Sequence, residues 1–199
     1  MSVENPHSFW PTPPEAVLPL LPHLKPETWF VEPCAGDGAL VRALCAHGHK
    51  LHWAADIEPR QDFILPMDAL SPEVQRHIRN TDFDAIITNP PFSRHNFETL
   101  KAMIRLFSAA KPSWLLLPAA FKYNDYAPEF MAYCHKVVAV GRIQWIAGSD
   151  GKGRKDFAWY LFDQNVKFEG TKFYPKLPPP SVTAAPCHLP QGEGEMASA

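Results

Sequence analysis

Asn89, Pro90, Pro91 and Phe92 follow Thr88 directly and place an amide, free carbonyls and an aromatic face in one small space. Two successive prolines fix φ and supply no N–H, so the carbonyls around them have no helix or ladder to join. A planar base carrying an exocyclic amine suits such a turn. The Asn89 side-chain oxygen and the Pro90 carbonyl can accept its two N–H bonds, while Phe92 stacks on its ring. As an isolated tetrapeptide the same residues also fit an ordinary turn followed by a core phenylalanine, so the rest of the chain has to arbitrate.

The apolar run over residues 83–87 reads as a buried parallel strand feeding that turn. Upstream, a strand over 29–31 leads into Glu32-Pro33-Cys34-Ala35-Gly36-Asp37-Gly38 and then a helix over 39–46 with Leu40, Val41 and Leu44 on one face. A second strand over 49–55 ends on Asp56-Ile57. A short third over 63–65 leads to Asp68, and Ser71-Pro72 opens a polar helix to about residue 80. After the Asn-Pro-Pro-Phe turn come a helix over about 95–110, a strand over 114–117 and a helix over about 128–134. Residues 136–140 and 143–146 supply a sixth strand, or one strand broken at Gly141, and 157–162 the last. Strands alternating with helices imply a mainly parallel sheet covered on both faces. The loop over 148–156 is too short for a crossover helix, so the final pair is expected to be antiparallel. At the start of the chain, Thr12 is placed to cap a short helix beginning at Pro13 and Pro14.

Ligands of an open α/β sheet sit beyond the carboxyl ends of its strands, where strand order reverses. The Gly36-x-Gly38 pair lets backbone approach a ligand, but it lacks the third glycine of the dinucleotide fingerprint, and Glu32 and Asp37 would repel a pyrophosphate. A nucleoside without phosphates, carrying a cationic amino acid part, fits better. Asp56 lies where a carboxylate can accept both hydroxyls of a ribose, with Ile57 against the purine face, and Asp68 can accept from that purine's amino group. Singly, each acid also reads as a helix cap or a solvated loop residue. At successive strand ends they form a constellation.

The set Glu32-Pro33-x-x-Gly36-x-Gly38, Asp56, Asp68 and Asn89-Pro90-Pro91-Phe92 resembles the S-adenosylmethionine-dependent amino methyltransferases, and within them the small adenine-specific DNA methyltransferases of phages and prophages. Phe9-Trp10-Pro11-Thr12-Pro13, Arg142-Ile143-x-Trp145 and Phe157-Ala158-Trp159-Tyr160 extend the likeness over about residues 9 to 163. The resemblance implies a Rossmann-like methyltransferase fold, with a mainly parallel seven-stranded sheet, an antiparallel final strand and helices on both faces. One such domain is expected over residues 1–174, followed by a Pro-, Ala- and Gly-rich disordered tail over 175–199. S-adenosylmethionine is the implied cofactor: Thr12 on its carboxylate, Glu32, Pro33, Gly36 and Gly38 around its methionine part, Asp56 on the ribose and Asp68 on the adenine. Asn89, Pro90, Pro91 and Phe92 are then the catalytic turn for the target base. Two acceptors on the amine hydrogens push its nitrogen toward sp3 as it attacks, so the rate comes from positioning and electrostatic preorganisation rather than from a strong base. A duplex adenine would have to be flipped, or the DNA single-stranded.

Composition adds bounds. The 199 residues fit one domain with a sizeable core, and the formal net charge of −2 gives no overall attraction to a polyanion, so DNA contact needs a local patch. Arg94, Lys152, Arg154 and Lys155 are the candidates for phosphate contact, and Phe121, Lys122, Tyr123 and Trp145 for the base channel, with core packing favoured for Trp145. Cys34, Cys45, Cys134 and Cys187 have no CxxC spacing and are expected as free thiols in the reducing cytoplasm. No signal peptide, membrane span or metal site is expected, since His47, His49 and His52 straddle a helix end and a strand. The span between Asp68 and Asn89 leaves no room for a separate target recognition domain, so short or degenerate sequence contexts are expected. Methylation of an RNA base or a protein glutamine is the rival chemistry, and an idle nucleic-acid-binding module the rival class.

Overall fold

The computed structural model describes residues 10–145, 153 and 155–176, the side chain of Arg94 excepted. Strands β1 (Trp29–Glu32), β2 (Lys50–Asp56), β3 (Ile64–Pro66), β4 (Ala85–Thr88), β5 (Ser113–Pro118), β6 (Cys134–Arg142), β7 (Asp156–Phe162) and β8 (Lys172–Tyr174) form one sheet in the order β3-β2-β1-β4-β5-β7-β6-β8. The pairs among β1 to β5 are parallel, and β7 inserts antiparallel between β5 and β6. Strand order therefore reverses between β1 and β4, and the carboxyl ends of these neighbours face the same edge.

Alternation along each strand builds two core layers. Phe30, Ile87, Trp114, Leu116 and Trp159 point to one face, under Leu40, Val41 and Leu44 of helix α1 (Ala39–Ala46) and the chain around Ala16 and Leu20. Val31 and Ile86 point to the other face, against Val74 and Ile78 of α2 (Pro72–Asn80) and Met103 and Phe107 of α3 (Phe97–Ala110). Leu115, Leu117, Val137 and Tyr160 continue that face under Leu100, Ile104 and Phe130, the last on the short helix α4 (Ala127–Met131). Helices thus cover both faces. Ser71 caps α2, its Oγ accepting from the Val74 N–H at 3.2 Å.

The N-terminal segment is tied to the far side of the sheet. Trp159 is fully buried, and its indole N–H donates to the Ala16 carbonyl at 2.8 Å, which satisfies the one polar atom of a large core side chain. Around it the chain forms 3₁₀ turns at Pro14–Ala16 and Leu21–His23, and Thr12 makes no capping bond to the first of them. The expected Thr12 cap is thus replaced by another contact, described below.

The sheet departs from expectation at its outer edge. Among the described residues it has eight strands, because Lys172–Tyr174 adds a parallel strand beside β6. β6 also runs unbroken through Gly141, where a register shift and φ of 85° absorb the extra residue, and Ile143 and Trp145 leave the sheet. β6 begins at Cys134, which confines α4 to one turn before Ala132, and Arg94–Asn96 form a 3₁₀ turn ahead of α3. Of the expected tail, residues 177–199 lie outside the described residues, as do Lys152 and Arg154. Among the described residues no helix is long and apolar enough to cross a membrane.

Gly38, in the loop between β1 and α1, runs close against Phe63. It caps α1 at φ 75°, and an added Cβ would lie 2.5 Å from the Phe63 ring. Gly38→Ala is expected to cost about 1–2 kcal/mol from the left-handed backbone alone, with the Phe63 ring displaced. Urea denaturation measures it, and an unchanged midpoint would show that the loop relaxes freely.

Candidate active site

Beyond the carboxyl ends of β1, β2 and β4 lies a cavity of about 300 Å³, at the small end of the range for small-molecule sites. Thr12, Glu32, Pro33, Gly36, Asp56, Ile57, Asp68, Asn89, Pro90, Pro91 and Phe92 all line it. Gly38 stands just behind, holding the loop. The structure therefore gathers the strand-end acids and the Asn-Pro-Pro-Phe turn around one space. Lys155 is exposed just before β7 and does not line the cavity; Arg94 opens the turn that follows Phe92.

The loop after β1 is laced to β2. Ala35 N–H donates to the Ala55 carbonyl at 2.9 Å, and Gly36 N–H donates to Asp56 Oδ2 at 2.7 Å. Asp56 Oδ1 accepts from Glu58 N–H at 2.8 Å. Each Asp56 oxygen thus holds one backbone amide and keeps further lone-pair capacity toward the cavity. Gly36 sits at φ 55°, which brings its amide round to the carboxylate without a Cβ in the way. Asp37 turns to α1 instead, its Oδ1 accepting from Ala39 N–H at 3.0 Å, and Arg42 donates to its carbonyl at 2.7 Å. Asp68 Oδ1 accepts from Leu70 N–H at 2.8 Å and so closes the loop ahead of α2.

Glu32 is the unusual acid. Only 1 % of it is exposed, and its Oε2 has no hydrogen-bond partner among the described residues. Burial, reinforced by Asp56 and Asp37, holds its carboxyl well above the usual range, against the Val41 N–H and Arg42, which favour the anion. The folded state therefore binds this proton more tightly than the unfolded chain does. The stability Glu32 allows is complete below about pH 4.3 and is lost as pH rises through its raised value. Glu32→Gln removes that titration. Its stability advantage over wild type is expected to open with pH by up to about 1.4 kcal/mol per unit within that window. Urea midpoints between acid and mildly alkaline pH measure it, and a difference that does not vary with pH would mean that Glu32 titrates alike in the folded and unfolded chain.

Asn89 joins the cavity to the N-terminal segment. Its Nδ2 donates to Thr12 Oγ1 at 3.1 Å and to the Trp10 carbonyl at 3.3 Å. A carbonyl can only accept, so Trp10 fixes which end of the amide is nitrogen. Oδ1 is thereby turned away; it is buried and has no hydrogen-bond partner among the described residues. An unmet acceptor in this setting is costly, and a donor supplied by a ligand would satisfy it. The half-buried Phe92 packs edge-on against Phe157 at 5.3 Å between ring centroids, and Trp145 stands 6.4 Å from Phe92 and 6.3 Å from Trp10. Trp145 is thus half-buried within an aromatic wall, while Phe121 is core and does not line the cavity.

Cys34 also lines the cavity, but burial, with Asp56 nearby, pushes its thiol up, and it donates to Met103 Sδ at 3.9 Å. Cys34, Cys45 and Cys134 form no disulfide among the described residues. Among the described residues no group of three or more His, Cys, Asp or Glu is placed to hold a metal ion. Sequence reasoning missed the Trp10 carbonyl, whose role is carried by backbone and leaves no residue-type signal, and Glu58, Arg60, Asn96, Thr99 and Met103, which also line the cavity.

No protein-family model matches the chain, and no curated protein sequence does. Solved structures do. The modification subunit of a provisionally assigned type I restriction enzyme from Vibrio vulnificus superposes with a TM-score of 0.56 at 14 % identity, over 92 % of this chain and 50 % of that one. The type I restriction-modification methyltransferase subunit from Streptococcus thermophilus gives 0.57 at 13 %, over 84 % and 47 %. A provisionally assigned class I S-adenosylmethionine-dependent methyltransferase from Listeria monocytogenes gives 0.52 at 13 %, over 87 % and 67 %. The chain spans about half the length of the two restriction-modification proteins. The fold is the Rossmann-like α/β fold of the S-adenosylmethionine-dependent methyltransferases.

Proposed function

We propose that this chain is an S-adenosylmethionine-dependent amino methyltransferase that modifies the exocyclic 6-amino group of adenine in DNA. The observation that carries the reading is Asn89: it lines the cavity among strand-end carboxylates, and Trp10 and Thr12 orient its amide so that Oδ1 is buried and has no partner among the described residues. The fold of the solved methyltransferases and the names of two of them, subunits of type I restriction-modification enzymes, favour the same reading.

The residues present fit the cofactor. Glu32 Oε2 is a buried acceptor without a donor, suited to an ammonium group, and Asp56 keeps lone pairs for two ribose hydroxyls. Asp37, Asp56, Glu58 and Asp68 outnumber Arg60 among the charged residues of the lining, which favours a ligand of positive charge. Thr12 Oγ1 already accepts from Asn89, so its hydroxyl hydrogen remains to be donated toward a carboxylate. Pro33, Gly36 and Gly38 shape the loop over the methionine part, Ile57 covers a purine face, and Asp68 meets its amine. When bound, the cofactor supplies an electrophilic methyl group on a sulfonium.

The chain's own part is orientation. Asn89 Oδ1 and the Pro90 carbonyl accept the two amine hydrogens, Pro91 holds the turn rigid, and Phe92 stacks on the base. These acceptors strengthen as the amine nitrogen loses its ring conjugation, so they act mainly on the transition state. Between Asp68 and Asn89 the chain holds only α2 and β4, which supports recognition of short or degenerate contexts. Contacts from Arg94, Lys152, Arg154 and Lys155 to phosphate would make binding sensitive to salt.

Transfer of labelled methyl from S-adenosylmethionine to DNA, RNA and ribosomal protein, each offered separately to purified protein, tests the assignment. Label is expected in DNA at adenine N6. Label in RNA or in glutamine would move the substrate class, since a planar amide also suits the turn. Cofactor binding with no transfer to any of them would leave an idle binding module.

A further inference from the structure

The same edge of the fold carries a second feature that the cavity does not use. Tyr123 is 77 % exposed and Phe173 57 % exposed, and the Lys122 ammonium bridges them, 4.4 Å from the Tyr123 ring centroid and 5.8 Å from that of Phe173. Lys122 is held there, donating to the Ala119 carbonyl at 3.1 Å. Two aromatic rings left in water with a positive charge between them are not what a core or a plain solvated loop requires.

Strand register fixes where this strip lies relative to the cavity. Thr88, directly before Asn89, pairs with Leu115, Leu115 with Tyr160, Tyr160 with Val137, and Val137 with Phe173. Residues paired in one row point to one face, and Leu115, Tyr160 and Val137 indeed share the core under α3 and α4. Phe173 therefore ends the row that begins at the catalytic turn, four strand spacings or about 19 Å away. Tyr123 reaches it from the end of β5, which stands beside the turn: Pro118 pairs with Phe157, whose ring packs on Phe92. Lys176, exposed, lies near Gly141 at the carboxyl end of β6.

We propose that Tyr123, Lys122 and Phe173 form a binding strip for a single strand of DNA flanking the target base, two unpaired bases stacking on the two rings and the ammonium meeting the phosphate backbone. The inference rests on the DNA reading above. Every base has a π-face, so such a strip binds without regard to sequence, while a basic groove tracks the backbone. A protein partner is the poorer match, because the cores of protein interfaces are depleted in lysine, and here the lysine sits at the centre.

The test uses the full chain and a fluorescent single-stranded oligothymidine of about twelve nucleotides, which offers no adenine to the cavity. Anisotropy titrations at low salt are expected to show Tyr123→Ala and Phe173→Ala each binding at least about fivefold more weakly than wild type. Tyr123→Phe should bind as wild type does, and Lys122→Met should bind more weakly with a shallower salt dependence. Calorimetric affinity for S-adenosylmethionine should be unchanged in all four, which also certifies their folding. Wild-type oligothymidine affinity in both alanine variants overturns the strip and leaves the proposed function standing. A wild-type protein that binds S-adenosylmethionine but no single-stranded or duplex DNA overturns both. A dimer in sedimentation that Phe173→Ala converts to monomer overturns the strip in favour of a second copy of the chain.

Discussion

Asn89→Ala is expected to lower methyl transfer by roughly 10²–10³-fold while S-adenosylmethionine binds within a few fold of wild type. The asymmetry follows from where the two ends of the amide point. Oδ1 is a buried acceptor with no partner among the described residues, and the amine proposed to meet it gains acidity only as it is alkylated, so its loss falls on the rate. Nδ2 holds Thr12 and the Trp10 carbonyl, so its loss loosens the N-terminal segment and touches cofactor affinity only through Thr12. Asn89→Asp separates the two ends. It keeps an acceptor for the amine but places an oxygen against the Trp10 carbonyl, and its rate should lie between those of wild type and the alanine variant. Single-turnover rates and calorimetry measure both quantities. An alanine variant with a near wild-type rate would show that the turn is structural and would sink the central claim.

Asp56→Ala should weaken S-adenosylmethionine binding by at least about tenfold, or roughly 1.4 kcal/mol. Two losses combine. The ribose hydroxyls lose a charged acceptor, and Gly36 N–H, at present 2.7 Å from Oδ2, loses its partner and with it the lacing of the β1 loop to β2. Asp56→Asn, which can still accept from one of the two amides, should recover part of the affinity. Calorimetry on variants with native thermal transitions decides it; unchanged affinity in Asp56→Ala would remove Asp56 from the ribose site.

Those strand-end residues were legible in the chain because their signal is local. A β-branched run ending in Asn-Pro-Pro-Phe, or a strand ending in a glycine-rich acidic loop, can be read within a dozen residues, and the parallel order of the inner strands follows from the alternation of elements. What could not be read depends on distance. The pairing of Thr12 with Asn89 spans 77 residues, and it outcompeted the local helix cap that Thr12 was expected to make. β8 is three residues long and mostly exposed, so it carries no period, and only the open edge of β6 gives it a partner. Gly141 looked like a strand break because glycine weakens strands, yet its freedom at positive φ is what lets β6 continue past a bulge. Phe121 and Tyr123, two residues apart, were read alike, and burial separated them into core and surface.

The bond between Trp159 and Ala16 spans 143 residues and has a consequence for how the protein comes into being. The segment that orients Asn89 is anchored on β7, so it cannot settle until nearly all of the described chain has left the ribosome. Closing such a loop taxes the search with lost chain entropy, and proteins dominated by contacts this remote fold slowly. During that wait the inner parallel strands can pair while the amide of Asn89 is still free to turn either way. Competence for chemistry should therefore lag behind the return of secondary structure in refolding, and the slow phase should be the docking of the first residues onto the last long strand.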